Sequence, residues 1–511
     1  MIRALLRLLD AFRRDASGNV LMMTGFALVP MIFATGFGVD YSRAMRVKTI
    51  LDAAADAAAL SAVSNLAMTQ TAALAQTVAL ANFKAQASML TAVTFNAAND
   101  LTIAVADTSS TSGTGRQVVV TWRAKSTNIF STILGSSSLA ISGSATASAL
   151  KPPYVNYYVL LDTSPSMLLP TTSAGLSAIR SATSAMANAP YGCAFACHTK
   201  NPHSDSIYIR NTAGQDIWLD SSGNAWPISS VWNGYVYSPN YANGTQPLAL
   251  QSSGQYADGY WLTRNYASLY GGSLSILLRI DEERSASQNL ITTAQTYATS
   301  NQVSYKMQFY GFNWTHSGAS SPLTALTSSM MDVKSLSTSS VPDLYAAQDN
   351  WYKNNCPYYN FCNSDMGTEF ANAMSSLNAV MPAPGDGSTA ATPQEVLLII
   401  TDGVPDETYN GGRWARELNP TDLAQCSAIK TKGITIGIIY TTYSADSITG
   451  DTWSQTVVGP HLSSVASTLQ SCASTSSAGA PLFFEVGTDG SITNALAALF
   501  AMTLQTARLV K

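Results

Sequence analysis

A run of twenty uncharged, mostly apolar residues near the N-terminus places the strongest constraint on the fold of this 511-residue chain. The run, VLMMTGFALVPMIFATGFGV, covers residues 20–39. As a helix it would extend about 30 Å, the thickness of the hydrocarbon core of a bilayer. Pro30 would break a soluble helix, but membrane helices tolerate proline. The run predicts a transmembrane helix, and it is longer than the apolar region of a cleaved signal peptide, which is the alternative.

Charges beside this run predict its orientation. Four arginines precede it and an aspartate follows it directly: Arg3, Arg7, Arg13, Arg14 and Asp40. The positive-inside rule then places a basic tail, residues 1–19, in the cytoplasm and the rest of the chain outside. The tail forms either an amphipathic helix on the inner leaflet or a disordered basic flank.

The composition is poor in charge. Charged residues make up 11% of the chain, against about 25% in an average soluble protein. Uncharged polar residues and alanine replace them, which is typical of exported and fibre-associated proteins. The net charge of -4 and the absence of a basic stripe exclude nucleic acid as a partner. The length predicts two or three domains.

Cysteine usage also indicates export. All six cysteines follow residue 190: Cys193, Cys197, Cys356, Cys362, Cys426 and Cys472. An even number in the predicted outer portion favours disulfides in an oxidising compartment. We expect the local pairs Cys193–Cys197 and Cys356–Cys362, with Cys426 and Cys472 joining two late helices, although six cysteines allow fifteen pairings.

The segment CAFACH, residues 193–198, has three possible interpretations. A haem attachment needs two residues between its cysteines and a metal clip needs further ligands, so a small disulfide loop is favoured over both. The four histidines include no H-x-x-x-H pair, which argues against a zinc hydrolase.

Residues 40–150 predict a helix followed by a small β region. An alanine-rich helix continues from the membrane run, and a second covers roughly Thr71 to Met89. Apolar and polar residues then alternate in three segments, as in antiparallel strands: residues 101–108, 116–127 and 138–150. KPPY at Lys151–Tyr154 marks the boundary with the next domain.

Residues 151–511 alternate between strands and helices. The predicted strands are Tyr157–Leu161, Tyr305–Phe312, Val396–Thr401, Ile434–Tyr440 and Leu482–Val486. The predicted helices are Ala174–Ala187, Asp281–Ser300, Glu369–Ala379, Thr421–Lys432, Leu462–Cys472 and Ser491–Ala507. This alternation predicts an α/β fold with a doubly wound, mostly parallel sheet covered on both faces. Such sheets bind ligands at the carboxyl ends of their strands, where Asp162 and Asp402 lie.

An insert at about residues 189–274 interrupts the alternation. Between Tyr208 and Tyr270 it carries eight tyrosines and four tryptophans. The tryptophans are Trp218, Trp226, Trp232 and Trp261. These rings either form a recognition surface or pack the insert onto the domain, and packing is favoured.

Five separated residues predict one metal site: Asp162, Ser164, Ser166, Thr368 and Asp402. Carboxylates and hydroxyls are hard oxygen ligands, which suit Mg²⁺ best here, with Ca²⁺ or Mn²⁺ as alternatives. Two carboxylates and three hydroxyls leave an open coordination position. A carboxylate from a partner protein can fill it.

These motifs resemble the von Willebrand factor A fold and its metal-ion-dependent adhesion site. DTSPS at residues 162–166 matches the D-x-S-x-S motif of that family, GTEF supplies the loop threonine, Thr368, and LLIITDG supplies the later aspartate, Asp402. The resemblance implies that these five residues hold a divalent cation and that Asp402 acts largely through water.

The N-terminal segment resembles TadE/TadG-like proteins of the tight-adherence (Flp) pilus system. The matching features are Gly18, Pro30, the Gly38-Val39-Asp40 sequence and the LDAAADAAALSA helix. This resemblance implies a bacterial inner-membrane protein with one transmembrane pass, a pilin-like α+β region and its bulk in the periplasm or on the pilus or cell surface. Its partners would be the membrane and other pilus or envelope proteins.

The favoured function is therefore a minor pilin-like, assembly or adhesion component that binds partners through its metal site. Two alternatives remain: a structural envelope protein whose metal only stabilises the fold, and a metal-dependent adaptor of an ATPase. Catalysis is not expected, because the sequence has no G-x-x-x-x-G-K phosphate loop and no recognisable nucleophile–base pair.

Overall fold

The computed structural model forms two compact units. They are Met1–Ser109 with Thr114–Lys151, and Ser110–Gly113 with Pro152–Lys511, called here the N-terminal and C-terminal units. The structure describes residues 19–91, 93–110, 113–184, 191–195, 209–237, 247–315, 320–344, 367–409, 412–415, 418–450 and 452–509.

One long helix, α1 (Asn19–Ala62), organises the N-terminal unit. Its side chains before Asp40 are mostly exposed, whereas one face is buried from Ala44 onward. The buried positions recur every three or four residues, as on one face of a helix: Ala44, Val47, Leu51, Ala55, Ala58 and Ala62. Within the described residues, α1 is the one helix long and apolar enough to cross a membrane. The predicted transmembrane run thus continues unbroken into the packed part of the unit.

A second helix and an antiparallel sheet complete this unit. The elements are α2 (Ala72–Ala87), β1 (Leu101–Ser110), β2 (Gly113–Thr127), β3 (Ser138–Leu150), the short strand Val93–Thr94 and the short helices Asn65–Met68 and Ala97–Asp100. The other three strands all pair with β2. Trp122 and Phe83 are fully buried against the alanine face of α1. The small alanine side chains allow this close approach.

Asp40 ties the start of the packed part of α1 to the loop between β2 and β3. Its carboxylate accepts hydrogen bonds from the backbone N–H groups of Ile129 (2.8 Å), Phe130 (3.0 Å) and Ser131 (2.7 Å). At the other end of β2, Arg116 donates to the carbonyl oxygens of Ala67 and Gln70. Strand β2 therefore runs back along α1, and its last residues lie beside Asp40.

We expect Asp40→Ala to free the loop between β2 and β3. Three backbone N–H groups would lose their acceptor, and each lost hydrogen bond of this kind costs about 1 kcal/mol or more. Hydrogen–deuterium exchange of the full-length protein in detergent should show faster exchange at Ile129, Phe130 and Ser131. Asp40→Asn keeps one acceptor oxygen and should give a smaller effect. Unchanged exchange in Asp40→Ala would contradict this role.

The C-terminal unit contains the predicted doubly wound sheet. Its strands are β4 (Val155–Asp162), β5 (Tyr305–Phe312), β6 (Leu323–Ala325), β7 (Gln394–Thr401), β8 (Thr435–Thr441) and β9 (Phe483–Val486). Their order is β6-β5-β4-β7-β8-β9. Five strands are parallel: β5, β4, β7, β8 and β9. Strand β6 and the short strand Met331–Asp332 pair with β5 in the antiparallel direction. The antiparallel edge was not among the predicted elements.

Helices cover both faces of this sheet. The helices of this unit are α3 (Ser173–Thr183), α4 (Gly259–Tyr270), α5 (Arg279–Asn301), α6 (Phe370–Val380), α7 (Pro420–Thr431), α8 (Leu462–Cys472) and α9 (Ile492–Leu509). Of these, α5 and α9 cover one face of the sheet, and α6, α7 and α8 cover the other. Alternate residues of β4 enter the two cores. Tyr157 packs with the residues of α5 and α9, and Tyr158 with those of α6, α7 and α8. The six predicted helices are present with shifts at their ends, and the predicted end of α3 at Ala187 lies outside the described residues.

The described part of the insert forms two small antiparallel sheets and α4. One sheet contains Asp216–Asp220, Ala225–Ile228 and Gly254–Tyr256; the other contains Ser230–Trp232, Tyr235–Tyr237 and Ala249–Leu250. Trp218 and Trp261 are buried, but Trp226 and Trp232 are exposed. The favoured interpretation, packing, therefore holds for two of the four tryptophans.

A disulfide joins Cys426 of α7 to Cys472 at the end of α8, as predicted. Cys193 is also disulfide-bonded. Cys197, Cys356 and Cys362 lie outside the described residues, so the two local pairings stay predictions.

Glu395 lies near the amino end of β7 with its side chain buried in the sheet. It accepts a hydrogen bond from Asn156 on β4 (2.9 Å), but burial raises its pKa to about 7 from 4.5. Ionisation is therefore harder in the folded chain, and this contribution lowers stability as the pH rises from about 4.5 to 7.

Glu395→Gln should consequently be more stable than the wild-type protein at pH 8. We expect a gain of about 1–2 kcal/mol, less than the full shift because water partly screens the site. Below about pH 4.5 the gain should vanish, since the glutamate is then protonated in both states. Chemical denaturation at both pH values measures this, and an equal difference at both would show that the ionisation of Glu395 is not the cause.

Candidate metal centre at the carboxyl ends of the sheet

Two of the predicted ligands lie at the ends of adjacent parallel strands. Asp162 is the last residue of β4, and Asp402 directly follows β7. The strand order reverses between β4 and β7, because β5 lies on one side of β4 and the later strands lie on the other. Such a switch point opens a crevice at the carboxyl ends of the strands. Ser164 and Ser166 follow in the turn after β4.

Hydrogen bonds fix the geometry of the first loop. The Asp162 carboxylate accepts from the Ser164 N–H (3.0 Å) with one oxygen and from the Thr401 hydroxyl (2.6 Å) with the other. The hydroxyl oxygens of Ser164 and Ser166 lie 2.8 Å apart. The structure thus brings Asp162, Ser164 and Ser166 together. Thr401, which was not predicted, links this loop to β7.

Asp402 is fully buried beside this loop. Neither of its carboxylate oxygens accepts a hydrogen bond from another described residue. The Ser166 hydroxyl and the Val404 N–H are close enough to lower the pKa of Asp402, yet neither makes a hydrogen bond of normal geometry to its carboxylate. A buried carboxylate without partners is costly, so its two oxygens mark a place for a positively charged ligand.

The loop that carries Thr368 lies against Ser164. A Cβ atom added to Gly367 would lie 2.8 Å from the Ser164 Cβ and 2.9 Å from the Asn313 side-chain oxygen, so only glycine fits there. Thr368 is buried with a positive φ of 61°. Asn313 joins the two loops, because its side-chain amide donates to the Thr163 carbonyl (2.7 Å) and its own carbonyl accepts from the Glu369 N–H (2.8 Å).

Two charged residues of α5, Glu283 and Arg279, lie beside Asp162 and Asp402, and neither was predicted from the sequence. Glu283 is fully buried and accepts a hydrogen bond from the Asp162 N–H (3.0 Å) with one oxygen. Its other oxygen has no partner among the described residues. Arg279 is buried, donates to the carbonyl oxygens of Thr441 and Thr442, and attracts Asp402. Their four-residue spacing on the buried face of α5 is a signal that could have identified them.

The buried charges perturb each other. Burial raises the pKa of Asp162, and burial together with repulsion from Asp162 raises the pKa of Glu283. The same two causes raise the pKa of Asp402 to about 7, although Arg279 opposes the rise. Burial lowers the pKa of Arg279. Three acidic groups thus lie close together where each is hard to ionise, and a bound cation would favour their ionised forms.

The ligand chemistry fits a hard divalent cation. The hydroxyls of Ser164 and Ser166 and the unpartnered oxygens of Asp402 supply oxygen ligands, which Mg²⁺ prefers, and Thr368 lies on the loop beside Ser164. Among the residues that the structure describes, no three His, Cys, Asp or Glu side chains are arranged to hold a metal ion. A cation here would therefore depend on the serine and threonine hydroxyls, and on water.

One known protein family matches the N-terminal segment. Residues 18–75 match the model of the Flp pilus-assembly TadE/G-like family. These residues form a TadE/G-like segment. The resemblance seen in the sequence is confirmed, and the match extends past α1 into α2. The long apolar helix of this TadE/G-like segment fits a single-pass membrane anchor.

Solved structures give weaker similarities. One structure of the pilus adhesin SpaC from Lactobacillus rhamnosus GG is 11% identical to this chain, has a TM-score of 0.30 and covers 81% of it. The open conformation of SpaC is 10% identical, has a TM-score of 0.31 and covers 80% of this chain. This chain covers 35% and 34% of those two chains. Proximal thread matrix protein 1 from the mussel byssus is 10% identical with a TM-score of 0.27, covering 45% of this chain and 43% of its own. No curated protein matches the chain significantly. The strand order β6-β5-β4-β7-β8-β9 defines the fold of the C-terminal unit.

Proposed function

We propose that this protein is a membrane-anchored component of a tight-adherence (Flp) pilus system that binds an acidic group of a partner through a divalent cation. The cation would be held by Asp162, Ser164, Ser166, Thr368 and Asp402, in the manner of a von Willebrand factor A domain. The partner is another pilus or envelope protein, or a surface ligand. The observation that carries the proposal is the pair of buried, unpartnered oxygens on Asp402 beside the two serine hydroxyls.

The charge balance supports a bound cation. Asp162, Glu283 and Asp402 are fully buried, and the positive charge of Arg279 lowers the pKa of Asp402. Burial raises the pKa of all three acids, and a divalent ion would favour their ionised forms. Because hydroxyls bring no charge of their own, the ion would keep some positive charge and attract a carboxylate of the partner.

Charge and cysteine chemistry support an orientation with the C-terminal unit outside the cytoplasm. The four arginines of residues 1–19 precede the apolar run, and the positive-inside rule keeps such a tail in the cytoplasm. The Cys426–Cys472 disulfide of the C-terminal unit suits an oxidising compartment, such as the bacterial periplasm.

A binding experiment tests the function. The full-length protein, immobilised in detergent, should retain pilus or envelope proteins in Mg²⁺ and release them in EDTA. Ser164→Ala should abolish retention in Mg²⁺, because it removes a hydroxyl ligand without adding charge. Ser427→Ala, which removes an exposed hydroxyl on α7, is the matched control and should bind normally.

The same experiment separates adhesion from a structural metal site. If Mg²⁺ raised the unfolding temperature but Ser164→Ala retained partners as well as the wild-type protein did, the ion would only stabilise the fold. If neither retention nor stability responded to Mg²⁺, the proposed site would be wrong altogether.

A further inference from the structure

The loop between β2 and β3 exposes apolar side chains. It runs through residues 128–137, and no charged residue occurs between Ser126 and Ser138. Three of its apolar side chains are exposed: Ile129 by 58%, Phe130 by 41% and Ile133 by 75%. Exposed isoleucine and phenylalanine in an uncharged loop indicate a surface that contacts something apolar.

This loop is held level with the end of the predicted transmembrane run. Gly36 lies against Phe130, since a Cβ on Gly36 would lie 2.6 Å from the Phe130 Cβ. Gly36 is three residues before Val39, the last residue of the run, which places it about 5 Å inside the end of the run. The three hydrogen bonds to Asp40 hold the loop at this level.

The loop also lies at the end of the N-terminal unit that is nearest the apolar run. Helix α1 continues from Asp40 to Ala62, about 33 Å further along its axis. The opposite end of β2 lies there, where Arg116 contacts the carbonyls of Ala67 and Gln70. Asp40 is the first charge after the run, and its carboxylate is turned toward backbone N–H groups of the loop.

We propose that Ile129, Phe130 and Ile133 insert into the lipid bilayer at the interface where α1 leaves the membrane. The apolar loop is continuous with the exposed apolar surface of α1 through the Gly36–Phe130 contact, which is why a lipid surface is its partner. Insertion gives the N-terminal unit a second membrane contact beside the helix and fixes its tilt on the bilayer. This inference rests on the proposed role of α1 as the membrane anchor.

Photo-crosslinking to lipid tests the insertion. The photoreactive residue p-benzoylphenylalanine replaces Ile133 in the full-length protein, which is reconstituted in vesicles of phosphatidylethanolamine and phosphatidylglycerol with tritiated acyl chains. Two further positions serve as references, Phe26 within the apolar run and Leu66 beyond the far end of α1. Both side chains are exposed, so replacement should not disturb the fold.

We expect strong labelling by lipid at positions 26 and 133, several-fold above that at position 66. Labelling at 26 without labelling at 133 would overturn the loop insertion and leave the anchor intact. No labelling at 26 would overturn the anchor and the insertion together. A crosslinked protein dimer at 133 in place of the lipid adduct would assign the loop to contact with a second copy, and equal labelling at 66 and 133 would contradict the assigned depth.

Discussion

In EDTA at pH 8, above the pKa of about 7 to which burial raises Asp402, Asp402→Asn should be more stable than the wild-type protein, and in excess Mg²⁺ at the same pH the order should reverse. Without a cation, Asp402 adds a negative charge to a buried cluster that already contains Asp162 and Glu283. Removing an uncompensated buried charge should gain about 2 kcal/mol. The amide of asparagine is neutral but keeps the shape of the carboxylate, so packing should not change.

The reversal follows from linkage. A cation at a concentration one hundred times its dissociation constant stabilises the wild-type fold by about 2.7 kcal/mol. Asp402→Asn should lose most of this gain. Thermal unfolding of both proteins in EDTA and in Mg²⁺ gives the four unfolding temperatures to compare.

Asp386→Asn provides a matched control for this cycle. Asp386 is exposed and lies near the amino end of β7, whereas Asp402 follows the carboxyl end of the same strand. Its response to Mg²⁺ should equal that of the wild-type protein. If Asp402→Asn were less stable than the wild-type protein in EDTA, the carboxylate would be satisfied without a cation, contrary to the proposed site.

Removing the Cys426–Cys472 disulfide should produce the largest loss of stability. The bond closes a loop with a sequence separation of 46 residues. Without the bond the unfolded chain gains conformational entropy, which should lower the free energy of unfolding by about 4 kcal/mol. Both side chains are buried in the core formed with α7 and α8, so the Cys426→Ala/Cys472→Ala double variant keeps an apolar environment.

Chemical denaturation under non-reducing conditions should show this loss. The variant should still respond to Mg²⁺, because neither cysteine is a proposed ligand. A loss below about 1 kcal/mol would mean that the unfolded chain is already restricted in other ways.

The sequence predicts the central sheet well, because its strands are buried on both faces and are therefore continuously apolar. LLII in β7 and IGII in β8 cannot be mistaken for solvated segments. Their helices follow a different period, so the alternation is visible without an alignment. The strand β6 at the antiparallel edge has only three residues with no buried face, and such a strand carries little signal.

The candidate site is only partly visible in the sequence. Asp162 and Asp402 stand out because each ends an apolar strand. Glu283 lies in RIDEERSAS, where acidic residues near a helix N-terminus have an ordinary explanation in the helix dipole. Its burial depends on how α5 packs against the sheet, which no local pattern reveals. The role of Asp40 as an acceptor for a loop ninety residues later is likewise a tertiary effect.

The aromatic insert shows the same limit. Trp218 lies in DIWLD and Trp232 in SVWNG, and the first is buried whereas the second is exposed. The difference arises from which sheet each residue joins and which face it occupies. Composition alone cannot separate packing from recognition here.

Direct titration with Mn²⁺, followed by electron paramagnetic resonance of the free ion, tests the central claim most directly. The wild-type protein should bind one Mn²⁺ that Mg²⁺ displaces, and Asp162→Ala and Ser164→Ala should each lose this binding while remaining folded. Failure of the wild-type protein to bind Mn²⁺, or undiminished binding by both variants, would contradict a cation site at the carboxyl ends of β4 and β7.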